Sequence, residues 1–322
     1  MNARLFFSLS LLLLLGGCGS PSLLITPVSN TSELREISVA SGRAFGGKIA
    51  IIEVEGMLVD DRTGGILQPS ENPLSLFVQE LTQAEDDDDV KAVVLRVNSP
   101  GGSVTTSDTM YDELLRFKAR THKPVIASAQ EVAASGAYYV SCGADKIVVS
   151  PTSIVGSIGV IFESFDLQDT LEKLGAREVS IKSAPLKDMG SPFVHLTPEA
   201  REVMQNMVDE YYARFKNVVT TSRGIKDPKT IQLVTDGRVF SGTNAVSLGL
   251  ADQTGRLDDA IDLARHMADA PGAEVVMYKR PFGYSGSIYA EMSAPTPQSN
   301  SLNLKLPMSD WMPSGFYYLW QP

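Results

Sequence analysis

Short apolar runs alternate with longer segments of helical spacing, and this alternation limits the fold more than any other feature of the sequence. The first run, 48–56, and the second, 92–97, are separated by a segment at 73–84 whose apolar residues recur at helical spacing. Consecutive strand, helix and strand units need crossover connections, which favour a parallel sheet covered by helices. We therefore predict an α/β fold with a mainly parallel sheet and flanking helices.

The pattern continues through most of the chain. Thr197 is predicted to cap the longest helix, which starts at Pro198 and ends near residue 222. Further helices are predicted at 105–120, 133–143, 166–174 and 257–267, and further strands at 124–129, 146–149, 179–182 and 274–278. The globular domain is thus predicted to span residues 48–278.

The two ends of the chain differ from this domain. Arg4 precedes an apolar run at 5–15, which is too short to span a bilayer but typical of an export signal. The run ends in Leu-Gly-Gly-Cys18, which resembles the lipobox of bacterial lipoproteins, although an ordinary secretory signal with an incidental cysteine is the alternative. We predict an export signal at 1–17, and a lipidated Cys18 with a flexible tether at 18–47, which together would make the chain a membrane-anchored lipoprotein facing the periplasm or the cell exterior.

The last segment, 279–322, is rich in Pro and Ser but ends in an aromatic run at 316–320. So apolar an end is predicted to dock on the domain or on a neighbouring subunit rather than to remain free.

Charge and cysteine content exclude several functions. A net charge of -10 argues against nucleic acid as a partner, because phosphate binding relies on clustered Lys and Arg. A lipidated Cys18 leaves Cys142 without a disulfide partner. Metal binding is not expected, since the histidines show no ligand spacing; they are His122, His195 and His266. No cofactor is predicted.

Two small-residue turns follow predicted strands. Asn98-Ser-Pro-Gly-Gly102 could direct backbone N–H groups at an oxyanion, or could be a turn without function. Ser135 lies in Ala133-Ala-Ser-Gly-Ala137 at the start of a predicted helix, where it could be a nucleophile or merely the helix cap.

A serine nucleophile needs a base. No histidine lies in a motif typical of a catalytic loop, and only His195 is kept in reserve. A lysine can serve if its pKa falls from about 10.4 to near 7. Lys187 follows Pro185 in an apolar turn and Lys182 ends a predicted strand; residue types do not choose between them, and both could be exposed loop lysines.

Five motifs in order resemble the short, single-repeat form of the signal peptide peptidase A (protease IV) family. They are N-S-P-G-G, A-S-G-A-Y-Y, V-G-S-I-G-V, K-S-A-P-L-K-D-M-G-S-P and G-R-V-F-S-G-T-N-A-V-S-L-G-L. The resemblance covers about residues 48–277 and implies the fold of Clp proteases and crotonases, in a homo-oligomeric ring.

The resemblance also implies roles for individual residues. Ser135 corresponds to the nucleophile, Lys187 to the general base, and Ser157 to the hydroxyl that holds the lysine amine. Gly102 corresponds to an oxyanion N–H donor, and Lys182 is then only a nearby positive charge. The chain departs from many family members in carrying a lipobox instead of a transmembrane helix, and in its longer tail.

These roles imply a serine endopeptidase that uses a Ser–Lys dyad on extended apolar peptides, such as cleaved signal peptides, at a membrane surface. A crotonase-like acyl-CoA enzyme would not need the pair, and export would separate it from coenzyme A. The other alternative is a lipoprotein that binds peptides on the same fold without cutting them.

Overall fold

The computed structural model describes residues 33–43, 46–61, 71–280 and 315–321. The predicted export signal, Cys18 and most of the predicted tail lie outside these ranges. None of the helices in the described ranges combines the length and apolar composition that a bilayer crossing requires.

Strands and helices alternate through the described residues. The strands are β1 Arg35–Ala40, β2 Lys48–Leu58, β3 Val90–Ser103, β4 Val125–Ala134, β5 Lys146–Val149, β6 Ile154–Gly156, β7 Ile161–Glu163, β8 Val239–Ser241, β9 Gln253–Thr254, β10 Glu274–Lys279 and β11 Gly315–Leu319. The helices are α1 Pro73–Asp86, α2 Val104–Thr121, α3 Gly136–Ser141, α4 Gln168–Lys173, α5 Pro198–Arg223, α6 Pro228–Val234, α7 Gly242–Ser247 and α8 Leu257–Met267.

One mainly parallel sheet organises the molecule. Its central order is β1-β10-β2-β3-β4-β5-β9, and every neighbouring pair from β10 to β9 is parallel. Strand β6 runs parallel to the end of β4, while β1, β8 and β11 pair antiparallel. The predicted α/β fold is confirmed.

The central strands are apolar on both faces because helices cover both faces of the sheet. In β2, Ile49 and Ile51 belong to a cluster that includes residues of α8, whereas Ala50 and Ile52 belong to a larger cluster with residues of α2 and α5. Successive side chains of a strand point to opposite faces of the sheet. Because both faces of β2 are buried, every residue in this part of the strand is apolar, and the sequence shows a continuous apolar run.

The longest helix has the boundaries that its sequence predicts. Thr197 Oγ1 accepts a hydrogen bond from the Ala200 N–H at 3.2 Å, Pro198 opens α5, and Gly224 ends it at φ 63°. The cap and the proline therefore fix where helix α5 begins, and the helix packs against the sheet face that carries the larger cluster.

Three segments differ from their predicted structures. Residues 133–134, predicted to begin a helix, end strand β4, and the helix itself is Gly136–Ser141. Residues Arg35–Ala40 lie in the predicted tether, but they form β1 against β10, because Val39 and Ala40 pack on the smaller core cluster. Residues 179–182, predicted as a strand, pair with no strand among the residues that the structure describes, and Val179 and Ile181 are exposed.

A buried ionic cluster joins β2, β3, β10 and α1 near one end of the sheet. Arg96 pairs with Glu53 at 2.8 Å and also with Glu55, and Lys279 pairs with Glu53. Glu80 accepts a hydrogen bond from the Glu53 N–H at 3.2 Å, and burial together with the charge of Glu53 raises its pKa well above the ordinary value.

Candidate active site

Three parallel strands bring the small-residue turns together at one edge of the sheet. The register pairs Ser99 of β3 with Ala133 of β4, and Ala134 of β4 with Gly156 of β6. Ser135 therefore directly follows β4, and its N–H donates to the Gly156 carbonyl at 2.7 Å. Because the carboxyl ends of parallel strands share an edge, Gly102, Ser135 and Ser157 become neighbours in the fold.

Ser135 occupies a strained backbone position. Its φ of 53° and ψ of −117° are unusual for a residue with a side chain, and the residue is only 1% exposed. Its side chain makes no capping hydrogen bond to α3, and Oγ has no hydrogen-bond partner among the described residues. Ser135 therefore lies at the N-cap position of α3, but its hydroxyl does not cap the helix. A strained serine with an unpaired buried hydroxyl is instead typical of a functional site.

The glycine turn approaches Ser135 so closely that side chains would not fit. Gly101 has φ +102°, and a Cβ on it would lie 2.6 Å from the Gly136 nitrogen. A Cβ on Gly102 would lie 2.0 Å from the Leu58 carbonyl oxygen, and one on Gly136 would lie 3.2 Å from the Gly102 nitrogen. The backbone of Gly102 thus lies close to Gly136, the first residue after Ser135.

Ser157 directly follows β6, next to the end of β4. It also has a positive φ, 51°, is 8% exposed, and donates its N–H to the Arg238 carbonyl at 2.8 Å. The hydrogen bond to Arg238, in the loop before β8, fixes the backbone of Ser157 next to the end of β4.

Lys187 is not brought to Ser135 within one chain. It lies in an exposed turn, where its N–H donates to the Ala184 carbonyl at 3.2 Å. Among the described residues its amine has no hydrogen bond or ion pair, and the Ser135 hydroxyl has no partner either. A single copy of the chain therefore presents the nucleophile and the predicted base apart from each other.

The other two candidate bases are bound to carboxylates. Lys182 Nζ lies 2.6 Å from Asp188, and this hydrogen bond lowers the pKa of Asp188. His195 Nδ1 lies 2.8 Å from Asp166, and its Nε2 lies 3.2 Å from Asp169. The hydrogen bond to Asp166 raises the pKa of His195. In the described ranges, no three His, Cys, Asp or Glu side chains are grouped as metal ligands would be.

The sequence did not indicate which residues cover the site. Strand β11 pairs antiparallel with β3 at Gly101–Ser103, and the Tyr318 carbonyl oxygen lies 2.1 Å from where a Cβ on Gly101 would be. The aromatic run at 316–320 was the available signal, but it indicates docking without indicating where. Strand β7, the other partner of β11, was not predicted at all.

Comparison with known families gives matches over most of the described domain. The model of Peptidase family S49 matches residues 118–270, and the model named Clp protease matches residues 47–154.

Individual proteins from distant organisms are also similar. A putative signal peptide peptidase SppA of Enterococcus faecium is 34% identical over 249 residues, which are 77% of this chain and 72% of that protein. A putative protease of Methanocaldococcus jannaschii is 35% identical over 73% of this chain and 75% of its own length. Protease 4 of Salmonella typhi is 35% identical over 69% of this chain but only 35% of its own length.

Proposed function

This chain belongs to peptidase family S49, the family of signal peptide peptidase A, and is a serine peptidase; we propose that it cuts peptide bonds with Ser135 as nucleophile and Lys187 as general base. The observation that carries the proposal is the Ser135 hydroxyl, which is buried, has no hydrogen-bond partner in the described part of the chain, and belongs to a residue held at φ 53° beside the Gly101–Gly102 turn.

The reaction follows from these positions. The neutral amine of Lys187 removes the Ser135 proton as Oγ attacks the carbonyl carbon of the substrate. The Gly102 N–H stabilises the resulting oxyanion, and Ser157 orients the lysine amine. The lysine then gives its proton to the leaving amine nitrogen, the C–N bond breaks, and an acyl ester remains on Ser135. Water, deprotonated by the same amine, hydrolyses the ester and restores the serine hydroxyl.

The contacts of the other candidates support Lys187 as the base. Lys182 is held by Asp188 at 2.6 Å, which favours its charged form. His195 is held by two carboxylates on an exposed surface. Lys187, without such a partner among the described residues, is the amine available to move into an apolar and partly closed site.

The dyad is proposed to form between two copies of the chain. Residues 164–197, which we call the arm, carry Lys187 and many exposed apolar side chains. Apolar surface of this extent favours contact with another protein surface. A neighbouring copy would bury the arm and supply its Lys187 to Ser135, as in a homo-oligomeric ring. The arm contains six of the ten exposed large hydrophobic residues in the described ranges: Phe165, Leu174, Val179, Ile181, Met189 and Phe193.

The substrates are proposed to be extended apolar peptides, such as cleaved signal peptides, which reach the enzyme at a membrane surface. A lipid on Cys18 would hold the domain at that surface, facing the periplasm or the cell exterior. Cys18→Ser is expected to release the protein into the soluble fraction. Unchanged membrane association on fractionation would contradict the proposed anchor.

Labelling with a fluorophosphonate probe tests the nucleophile, with Ser135→Ala as the control. Lys187→Ala is expected to abolish both labelling and peptide cleavage, while the matched Lys182→Ala retains most of the activity. The opposite result would identify Lys182 as the base. A wild-type protein that binds peptides but is neither labelled nor active would be a peptide-binding scaffold.

Mixing two inactive variants tests the pairing between copies. When Ser135→Ala and Lys187→Ala chains are co-produced in equal amounts, about a quarter of the sites in a ring with random order combine an intact serine with a neighbour's intact lysine. Activity near that fraction of the wild-type value is expected. If the mixture stays inactive although mixed oligomers form, the dyad lies within one chain.

A further inference from the structure

The two halves of the candidate site each continue into a helix. Helix α2 begins two residues after Gly102, and the side chain of Ser103 caps it. Helix α3 begins at Gly136, directly after Ser135. The placement of α2 against α3 therefore decides how the glycine turn faces the serine hydroxyl.

The first contact between these helices lies at the site itself. A Cβ on Gly136 would lie 2.3 Å from the hydroxyl oxygen of Ser107 in α2, so the two helices approach each other here without a side chain on α3 between them. The same hydroxyl donates to the Ser103 carbonyl at 2.9 Å, and Ser107 is fully buried. A single contact of this kind fixes the distance between two helices but leaves them free to pivot about it.

A second contact lies one helical turn farther along α3. The Tyr139 hydroxyl donates to Asp108 Oδ1 of α2 at 2.6 Å. The side chain of Tyr139 is buried, and its ring packs edge-on against Tyr111 of α2 and Phe215 of α5, with centroids 5.2 and 5.0 Å away. The ring is therefore held in one orientation, with its hydroxyl directed at the carboxylate.

Arg214 of α5 binds the same carboxylate. Its Nε donates to Asp108 Oδ1 at 2.7 Å, and its Nη2 donates to Oδ2 at 3.0 Å. An arginine that binds both oxygens of a carboxylate fixes the orientation of that group. Asp108 is thus the point at which side chains join the three helices α2, α3 and α5.

Tyr139 also binds the backbone of the proposed nucleophile. Its N–H donates to the Ser135 carbonyl at 2.9 Å, while the Ser135 N–H donates to the Gly156 carbonyl at 2.7 Å. Ser135 has a φ of 53°, and a strained conformation of this kind persists only where its surroundings hold it. Because Asp108 fixes the side chain of Tyr139, the carboxylate acts on the position of Ser135 through one intermediate residue.

We propose that Asp108 is a positioning residue for the reaction, which holds Ser135 against the glycine turn through Tyr139. Arg214 keeps the carboxylate in place. The inference rests on the proposed function, because it assigns to Asp108 the alignment of the proposed nucleophile with the proposed oxyanion donor. Asp108 should affect the chemical step rather than substrate binding, since a misplacement of about 1 Å between reacting groups can lower the rate about 10²-fold.

The chain contains a matched control for this ion pair. Arg120 of α2 binds both oxygens of Glu85 in α1, with both N–O distances 2.7 Å. The side chains of Arg120 and Glu85 are 52% and 27% exposed, and those of Arg214 and Asp108 are 50% and 28% exposed. Exposed ion pairs contribute little to stability, so the loss of either pair should have a similar, small effect on folding. Only Asp108 is connected to the site.

The kinetics of Asp108→Ala and Glu85→Ala test the proposal. We expect Asp108→Ala to lower kcat about 10- to 100-fold with KM within about twofold of the wild-type value, and to slow fluorophosphonate labelling of Ser135 by a similar factor. Glu85→Ala should keep the wild-type values. Both variants are assayed well below their thermal unfolding midpoints, so that lost stability does not lower the rate. Equal kcat values for the two variants would overturn the inference.

A double-mutant cycle tests the route through Tyr139. Tyr139→Phe should lower kcat by about the same factor as Asp108→Ala, and the double variant should be no slower than either, because both changes remove one hydrogen bond. Factors that multiply in the double variant would show that the two residues act independently, which contradicts the proposal. Tyr139→Phe keeps the ring, so it carries the test if Asp108→Ala does not fold; a kcat within about twofold of wild type would then refute the proposed route.

Failure of this inference can be distinguished from failure of the proposed function. If the wild-type protein is labelled at Ser135 and cuts peptides, but Asp108→Ala is as fast as Glu85→Ala, only the role of Asp108 is refuted. Absence of both labelling and cleavage in the wild-type protein refutes the proposed function, and this inference with it.

Discussion

Gly101→Ala tests the geometry of the oxyanion site most directly. The new Cβ would lie 2.1 Å from the Tyr318 carbonyl oxygen and 2.6 Å from the Gly136 nitrogen, and Gly101 has a φ of +102°. Both neighbours are backbone atoms, so neither can move aside by rotating a side chain. The methyl group therefore crowds the backbone beside Ser135, where the substrate carbonyl is proposed to bind.

The size of the effect can be worked out for stability and for catalysis separately. An alanine at this φ costs about 1–3 kcal/mol of backbone strain, and overpacking adds about 1–3 kcal/mol. Domains are commonly stable by about 5–15 kcal/mol, so the variant should still fold. Loss of one oxyanion donor lowers kcat by about 10²- to 10³-fold, and we expect a decrease of at least that size.

The assay compares kcat on one peptide with the unfolding free energy from denaturant titration. Gly224→Ala is the matched control, because Gly224 also has a positive φ, 63°, but no atom lies within 4 Å of its missing Cβ. It should lose about 1 kcal/mol of stability and keep its activity. A folded Gly101→Ala enzyme with kcat within about threefold of wild type would refute the assignment of this turn to the oxyanion site.

Three further predictions concern other parts of the molecule. Because the raised pKa of buried Glu80 favours its protonated form, the stability it contributes is greatest below pH 4.5 and is lost as pH rises toward its folded pKa. The unfolding free energy of Glu80→Gln relative to that of the wild type should therefore increase between about pH 5 and 8, by up to about 1.4 kcal/mol per pH unit. A difference between the two proteins that does not change with pH would contradict this prediction. Thr197→Ala removes the cap of α5 and should lower the free energy of unfolding by about 1 kcal/mol in denaturant titration, whereas Thr197→Ser should not. His195→Ala should leave the pH–rate profile unchanged, since His195 is bound to Asp166; loss of a limb near pH 6.5 would make it the base.

The sequence predicted the elements that have strong local patterns. The long helix from Pro198 has a cap and a proline at its start, and the strand at 146–149 and the helix at 257–267 have the predicted boundaries. The meeting of Gly102, Ser135 and Ser157 follows from parallel strands ending at one edge, so it was predictable once their turns were recognised. The sequence did not predict that strands β3 and β4 continue into the motifs, because the last residues of both strands are the small, turn-like residues of those motifs.

What the sequence did not indicate depends on contacts between distant residues. Strand β1 pairs with β10, more than two hundred residues later, and its segment reads as a polar tether. The acidic partners of His195 lie in a different part of the arm, so only the fold shows that its two ring nitrogens face carboxylates. The position of Lys187 relative to Ser135 cannot follow from residue types when the proposed pair spans two copies.

Strand β7 connects β11 to the proposed base. Within the described residues β7 pairs only with β11, and Gln321 adds a hydrogen bond to Glu163 at 2.8 Å. The arm that carries Lys187 starts directly after Glu163. Strand β11 therefore fixes the point from which the arm leaves the domain. The same three-residue strand thus binds the aromatic end of the chain and anchors the segment that is proposed to provide the base to a neighbouring copy.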